Sequence, residues 1–378
     1  MFRLLHLADL HLGYHVALPS PLKEEVCRER NGILKKAVDL ALDPRMAIDM
    51  VVIAGDLFDN HRPEATFVEE TIRELARLEA AGIRVVTVPG NHDEITYNDA
   101  VYRREAGRWP GILVNAPMPA SVAEFTIKGY TCRLVAMAYT GGVTRIDGPL
   151  KDFPQAGEGE ISLAVFHGSL DWDGGERSLP LDGAALAAAG YDYIALGHIH
   201  RGGERRLGKT LACYAGMVAG RGFADPGTGS WTIVTLGDGP ARVEGVPAPT
   251  RPWQVITVDV TGMGGMEELE AEIKENLTAD AITQVRLVGH VGFELDLEVL
   301  RVRLENICSY LELADETEGW APEILDKLAA EPTIRGLFVR RLREKLSHAA
   351  SPQEAETVNR ALMYGLAALK GGGGSCLR

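Results

Sequence analysis

An α/β domain followed by a small α+β domain and a helical C-terminal segment is the fold this sequence predicts. Three observations carry that prediction. Over the first 240 residues, short apolar runs rich in β-formers alternate with helix-like stretches. A proline-rich stretch, VPAPTRP (246–252), then reads as a linker. Beyond it strand and helix patterns alternate again before residues 321–370 turn wholly helical. A chain of 378 residues has room for two or three such domains.

Taken in order, the expected strands are RLLHLA (3–8), MVVIAG (50–55), IRVVTVPG (83–90), TCRLVAMA (131–138), ISLAVFH (161–167), YIALGH (193–198), TLACYAG (210–216) and WTIVTLG (231–237). Helix-like stretches lie near 22–42, 64–81 and 182–190, and the strands after residue 205 read as antiparallel. After the linker come WQVITVDV, a helix near 266–277, TQVRLVGHV, a helix near 296–306 and CSYLEL. The expected divisions are 1–248, 249–318 and 319–370, with GGGGSCLR (371–378) as a flexible tail. No internal repeat is visible.

Composition narrows the class. Hydrophobic residues make up 46% and charged residues 24%, enough for a large core. No apolar run is long enough to cross a bilayer, and MFRLLHLADLHLG reads as a first strand rather than a signal peptide. The cysteines Cys27, Cys132, Cys213, Cys308 and Cys376 are scattered with no CxxC pair, which argues against a disulfide framework or a thiolate zinc site and fits a reducing cytoplasm. The net charge of −14 argues against a general nucleic-acid coat, whose affinity comes from neutralising phosphates. It leaves room for an enzyme that meets DNA through a local basic patch or bound cations.

Five blocks share one design, an apolar strand ending in metal-grade ligands. ADLHLG supplies Asp9 and His11, and IAGDLFD supplies Asp56, with Asp59 three residues on. VPGNHDE supplies Asn91, His92 and Asp93; AVFHG supplies His167; LGHIH supplies His198 and His200. In an extended segment, residues two apart point the same way, so the two imidazoles of LGHIH can address one object. Loops at the carboxyl ends of strands in an α/β sheet converge on one crevice. Each block alone is weak: DxH is usually a strand end, GNHD a β-turn, and a lone histidine a hydrogen-bonded core residue. Five in order are a different matter. His6, His15, His61, His290 and His348 fall outside them and read as structural or solvated.

The ordered set D-x-H, G-D-x-x-D, G-N-H-[DE], H and G-H-x-H resembles the calcineurin-like metallophosphoesterases. The resemblance implies a β-sandwich flanked by helices. It implies one cation held by Asp9, His11, Asp56 and His200, and a second held by Asp56, Asn91, His167 and His198, with Asp56 bridging. It makes His92 a rim residue, oriented by Asp93, that donates a proton or stabilises charge on the phosphoryl group. Oxygen and imidazole donors without thiolate suit Mn, Fe or Zn better than Mg or Ca, and Mn²⁺ is the first expectation. Two such ions roughly 3.5–4 Å apart acidify water and clamp a phosphate for in-line attack.

Within that superfamily, LLHLADLHLGY, VIAGDLFDNHRP and VVTVPGNHDE resemble the SbcD- and YhaO-type DNA double-strand-break repair exonucleases. The resemblance implies action at DNA ends, a capping domain that helps select the end, and a coiled-coil ATPase partner of the SMC (SbcC) type. Basic residues add local detail. Arg201, Arg205, Arg206 and Lys209 follow the last ligand block, where a backbone phosphate could sit or where a hairpin is simply solvated. Arg62 beside GDLFD is a similar candidate. Trp172 in GSLDWDGG reads as a loop tryptophan packed on the domain, with base stacking as the alternative. In PTIRGLFVRRLREKL, Ile334, Leu337, Phe338, Leu342 and Leu346 fall near helical spacing, opposite Arg335, Arg340, Arg341, Arg343 and Lys345. Leu362, Met363, Leu366 and Leu369 form a second apolar set. Either the helices bury these faces on each other, or they clasp the ATPase. Three function classes stand: a metal-dependent DNA exonuclease or endonuclease, a small-molecule phosphodiesterase or phosphatase, and a non-catalytic scaffold. The sequence leaves open whether the chain forms a homodimer.

Overall fold

The structure is a computed structural model that describes residues 1–141, 148–172 and 177–370. The tail expected at 371–378 lies outside the described residues. The chain divides into two compact units, Met1–Trp253 and Gln254–Arg378.

The first unit runs β1 (Phe2–Leu7), α1 (Leu22–Asn31), α2 (Ile33–Leu42), β2 (Met50–Ala54), α3 (Ala65–Ala80), β3 (Arg84–Val88), α4 (Val101–Glu105), β4 (Ile112–Leu113), β5 (Ala120–Ile127) and β6 (Tyr130–Ala136). It continues with β7 (Ile161–His167), β8 (Ser169–Leu170), β9 (Pro180–Leu181), α5 (Gly183–Ala189), β10 (Tyr193–Gly197), β11 (Gly203–Leu207), β12 (Thr210–Tyr214), β13 (Ser230–Gly237) and β14 (Gly239–Pro247). Two six-stranded sheets result, ordered β14-β13-β1-β2-β3-β4 and β11-β12-β10-β7-β6-β5. Strands β1 to β4 are parallel, as are β6, β7, β10 and β12; β13, β14, β5 and β11 are antiparallel to their neighbours.

Side-chain alternation explains the layering. On β1, Phe2 and Leu4 join Met50, Val52, Val86, Leu163, Val165 and Leu211 in a core between the sheets. Leu5 and Leu7 point the other way, into a core with Leu34, Val38, Leu75 and Leu78 of α2 and α3. The second sheet turns Val135, Phe166, Ile194 and Leu196 outward onto Leu186 and Ala189 of α5. Strands covered on both faces read as continuous apolar runs, which is why all eight expected strands were visible. Phe166 is fully buried, and its truncation to alanine would cost about 3–5 kcal/mol.

Some local detail differs from expectation. The stretch 22–42 is two helices, parted at Gly32, where the weak helix propensity of glycine meets a turn. The linker stretch is held down: Lys36 Nζ donates to Pro249 O at 2.7 Å and Arg251 to Glu29 at 2.7 Å. The short or polar strands β4, β5, β8, β9, β11 and β14 lacked an apolar run to announce them.

The second unit contains β15 (Trp253–Asp259), α6 (Met266–Asn276), β16 (Ile282–Val288), β17 (His290–Val291), α7 (Leu297–Leu304), β18 (Tyr310–Asp315), β19 (Gly319–Trp320), α8 (Pro322–Ala330), α9 (Ile334–Ser347) and α10 (Pro352–Lys370). A sheet ordered β15-β16-β18 packs on Leu269, Ile273, Leu300 and Leu304 of α6 and α7. Val339, Leu362 and Leu366 form a separate small core with Leu325, Leu328, Phe338 and Leu342. Part of the expected apolar stripe is therefore spent between the helices, while Ile334, Leu337, Tyr364 and Leu369 stay exposed.

Candidate metal centre

The parallel strands of both sheets deliver the ligand blocks to one rim. Asp9 and His11 follow β1, Asp56 follows β2, Asn91 follows β3, His167 ends β7, and His198 and His200 follow β10. The loops are stitched together by backbone: Asp9 N donates to Gly55 O at 3.1 Å and His11 N to Asp56 O at 2.9 Å. Asp9, His11, Asp56 and His198 all take positive φ, at 55°, 45°, 51° and 96°. Such strain persists where surroundings over-determine a conformation, and it concentrates at functional sites. Gly55, at φ 91°, has no alternative residue, because a Cβ there would overlap the His167 ring.

All seven expected ligands meet. Their donor atoms fall into overlapping sets: Asp9, His11 and His200; and Asp9, Asp56 and His167. On the first side, His11 Nε2 lies 3.2 Å from His200 Nε2 and 3.7 Å from Asp56 Oδ2. On the second, Asn91 Oδ1 lies 2.9 Å from both His167 Nε2 and His198 Nδ1, and Asp56 Oδ2 is 3.4 Å from His167 Nε2. His198 N donates to both Asp9 oxygens, at 3.0 and 3.2 Å.

These contacts fit cations. His167 Nδ1 sits 2.9 Å from Ala54 O, so the ring would offer Nε2 to a cation. Burial disfavours charge on the ring, but the Asp56 carboxylate outweighs burial and raises it to about 9, so a cation there would take the place of the Nε2 proton. His200 Nδ1 sits 2.6 Å from Asp225 Oδ2, which leaves its Nε2 lone pair facing His11. Lone pairs turned on one another and on carboxylates are held together favourably by positive charge between them. Burial lowers His11 and His198 to about 4, so both rings are neutral donors near pH 7. Burial also raises the Asp9 carboxyl, to about 6, with Asp56 adding repulsion. Burial pushes Asp56 up too, but the imidazole of His167, charged beside it, outweighs burial and holds that carboxylate well below the ordinary range.

His92 is partly exposed, at 28%, where His11 and His167 are buried. Its backbone N donates to Asp56 Oδ1 at 2.8 Å, and its Nδ1 meets Asp59 O at 3.0 Å. A ring nitrogen still falls within ligand range of His11 and Asp56. The expected contact with Asp93 is not there. Asp93 is fully buried and accepts from Gly90 N at 2.7 Å, Phe58 N at 3.1 Å and Tyr102 OH at 2.6 Å. It locks the GNHD turn to the GDLFD loop, and the Asp59 carbonyl orients His92 instead.

Several contacts at the rim escaped the sequence analysis, which named Asp59 only as the end of the GDLFD block. Asp225 hydrogen-bonds His200 from behind, and a carboxylate so placed fixes the ring and raises its basicity. Asp59 Oδ1 lies 3.2 Å from His11 Nδ1 as an ionic contact without hydrogen-bond geometry. Arg221 Nε donates to Asp225 at 3.1 Å and its guanidinium lies 5.1 Å from the Tyr14 ring centroid. Buried Arg30 covers the same ring at 5.2 Å and donates to Gly220 O at 2.8 Å, holding the loop that carries Arg221. Arg177 Nη2 donates to Asn91 O at 2.7 Å. For Arg221 and Asp225 the only signal was the GRGFAD stretch itself, which has neither strand period nor known spacing, and nothing in the sequence marked Tyr14, Arg30 or Arg177.

The expected DNA contacts scatter. Arg205 is on β11, an edge strand, with Nη2 2.7 Å from Asp171 Oδ2. Arg206 is exposed on the opposite face of the same strand, and Arg201 is exposed beside His200. Arg62 pairs with Asp99 at 3.2 Å. Trp172 is not packed on the domain: it is 60% exposed.

The calcineurin-like phosphoesterase family model matches residues 2–202. The chain belongs to that family, and its donor set is that of a metal-dependent hydrolase. Its curated relatives include a DNA double-strand break repair protein Mre11 from Methanosarcina mazei, 27% identical over 73% of this chain and 43% of that protein. They include the metallophosphoesterase YhaO of Bacillus subtilis, 23% identical over 72% of this chain and 67% of that one. A third is the SbcD component of the SbcCD nuclease from the same organism, 27% identical over 60% of this chain and 63% of that protein. The match thus spans less than half the length of the Mre11 relative. These relatives agree with the likeness to SbcD- and YhaO-type proteins read from DLHLG and GDLFD.

Proposed function

We propose that this chain is a nuclease that hydrolyses DNA phosphodiester bonds with two divalent cations, Mn²⁺ first among them, in double-strand-break repair. The observation that carries the reading is a buried rim where Asp9, His11 and His200 form one donor set and Asp9, Asp56 and His167 another, with Asp56 Oδ2 3.7 Å from His11 Nε2 on one side and 3.4 Å from His167 Nε2 on the other. In this reading Asp9, His11, Asp56 and His200 hold one ion, and Asp56, Asn91, His167 and His198 hold the other. When bound, the ion pair supplies Lewis acidity to the phosphoryl group and acidifies water. His92 holds a proton at its free nitrogen for the leaving oxygen, with Asp59 O fixing the ring. A relative named for DNA double-strand break repair and another named as a nuclease subunit support DNA as substrate.

The partner in this reading is an SMC-type coiled-coil ATPase. The exposed Ile334, Leu337, Tyr364 and Leu369 on α9 and α10 are the apolar side chains offered to it. Among the described residues no helix is long and apolar enough to cross a membrane. The test is one preparation assayed on end-labelled DNA, a cyclic nucleotide and bis-p-nitrophenyl phosphate, with Mn²⁺ and with excess EDTA. Metal-dependent cleavage of DNA ends is expected. Turnover of the cyclic nucleotide without DNA cleavage would favour a small-molecule phosphodiesterase, and no turnover of any substrate a scaffold.

A further inference from the structure

A cleft of about 910 Å³ opens beside the candidate metal centre. His198, His200 and Asp225 are among the residues that line it, together with Tyr214, Trp172 and Arg201. Its size is at the upper end for sites that enclose a small ligand. A phosphodiester seated at the histidines would run its neighbouring nucleotide into this space.

The position of Trp172 in the cleft is built. Asp171, the preceding residue, is nailed on two sides: Oδ1 accepts from Gly183 N at 2.6 Å, and Oδ2 pairs with Arg205 Nη2 at 2.7 Å. Asp171 also takes a positive φ of 55°, a cost a non-glycine residue bears only where its contacts enforce it. The strand that leads into it is pinned to the cleft wall, because Tyr214 OH accepts from Leu170 N and donates to Gly168 O, each at 2.9 Å. The backbone is thus fixed up to the tryptophan, and the indole then stands 60% exposed instead of entering either core. An exposed aromatic ring held in the lining of a cleft offers a face to a flat, desolvated partner.

We propose that Trp172 is a stacking platform for an unpaired nucleobase flanking the scissile phosphate. This rests on the nuclease reading and deepens it: the substrate at the site is a splayed or single-stranded end, and Arg201 lies where the adjoining phosphate passes. Arg205 then serves by holding Asp171, not by touching DNA.

The test uses the full chain with Mn²⁺ and a series of single-stranded oligonucleotides in which one abasic nucleotide is moved through the sequence. Stacking on an aromatic ring contributes about 5- to 100-fold in affinity per base. The unsubstituted chain should show a rise of that order in KM when the abasic nucleotide occupies one position next to the cleaved bond. Trp172→Ala should lose this discrimination, so that intact and abasic oligonucleotides become equivalent. Trp172→Phe, which keeps a ring, should retain part of it and covers the case in which alanine unsettles the loop. Discrimination that survives in Trp172→Ala, or none at any position in the unsubstituted chain, overturns the subsite. A chain that cleaves no DNA removes the nuclease reading itself, whereas cleavage indifferent to abasic nucleotides removes the platform alone.

Discussion

The two halves of the candidate metal centre are held by different means. His11 and His200, on one side, are backed by side-chain carboxylates, Asp59 at 3.2 Å and Asp225 at 2.6 Å. On the other side His167 is backed by the main-chain carbonyl of Ala54 at 2.9 Å, and Asn91 is braced by Arg177 on its own carbonyl. The first half can be tuned by single substitutions; the second is fixed by the sheet. A carboxylate partner also adds negative charge behind the ring, which strengthens it as a donor more than a carbonyl does. The first site should therefore be the one whose affinity responds to its surroundings.

Asp56 is the residue the two halves share, so its loss should produce the largest effect. Asp56→Ala should abolish phosphodiesterase activity on every substrate, and residual activity above a few per cent would break the shared-carboxylate picture. Next in size is His92→Ser. It should lower kcat by roughly 10²–10⁴-fold while both ions remain bound. Metal analysis and rate measured on one preparation decide this, and loss of an ion would make His92 a ligand.

The contrast between the halves is sharpened by Asp225→Asn and Asp59→Asn. Each should weaken one Mn²⁺ site by about 10–100-fold and leave the other unchanged, as isothermal titration of the metal-free chain would read out. Equal weakening of both sites would erase the distinction. The smallest effect belongs to the helices. Ile334→Asp with Leu337→Asp replaces two exposed side chains and should leave thermal stability within about 0.5 kcal/mol. The same variant should fail to co-purify with the proposed SMC-type ATPase; retention of the ATPase would move the proposed contact elsewhere.

How much of this was legible follows from where each residue sits. Ligands at strand ends announce themselves, because an apolar run, a glycine and a ligand come in order and the strand period sets their direction. Asp93 shows the limit. It is adjacent to His92 in sequence, yet its carboxylate turns back to Gly90, Phe58 and Tyr102. Neighbouring residues in a turn do not share a direction, so adjacency said nothing about contact. Asp225 shows the other limit: it reaches His200 from a loop 25 residues on, and nothing periodic marks it. Trp172 was misread for want of one fact, the anchoring of Asp171 by Gly183 and Arg205, which only the fold brings together. The C-terminal stripe was half right, since helical spacing identifies an apolar face but not which neighbour consumes it.

The central claim is a pair of cations bridged by one buried carboxylate. Electron paramagnetic resonance of the chain loaded with Mn²⁺ tests it most directly, because ions sharing a bridge are exchange-coupled. The account predicts a coupled dimanganese spectrum in the unsubstituted chain that disappears in Asp56→Ala. A spectrum of isolated Mn²⁺ in the unsubstituted chain at full loading would contradict it.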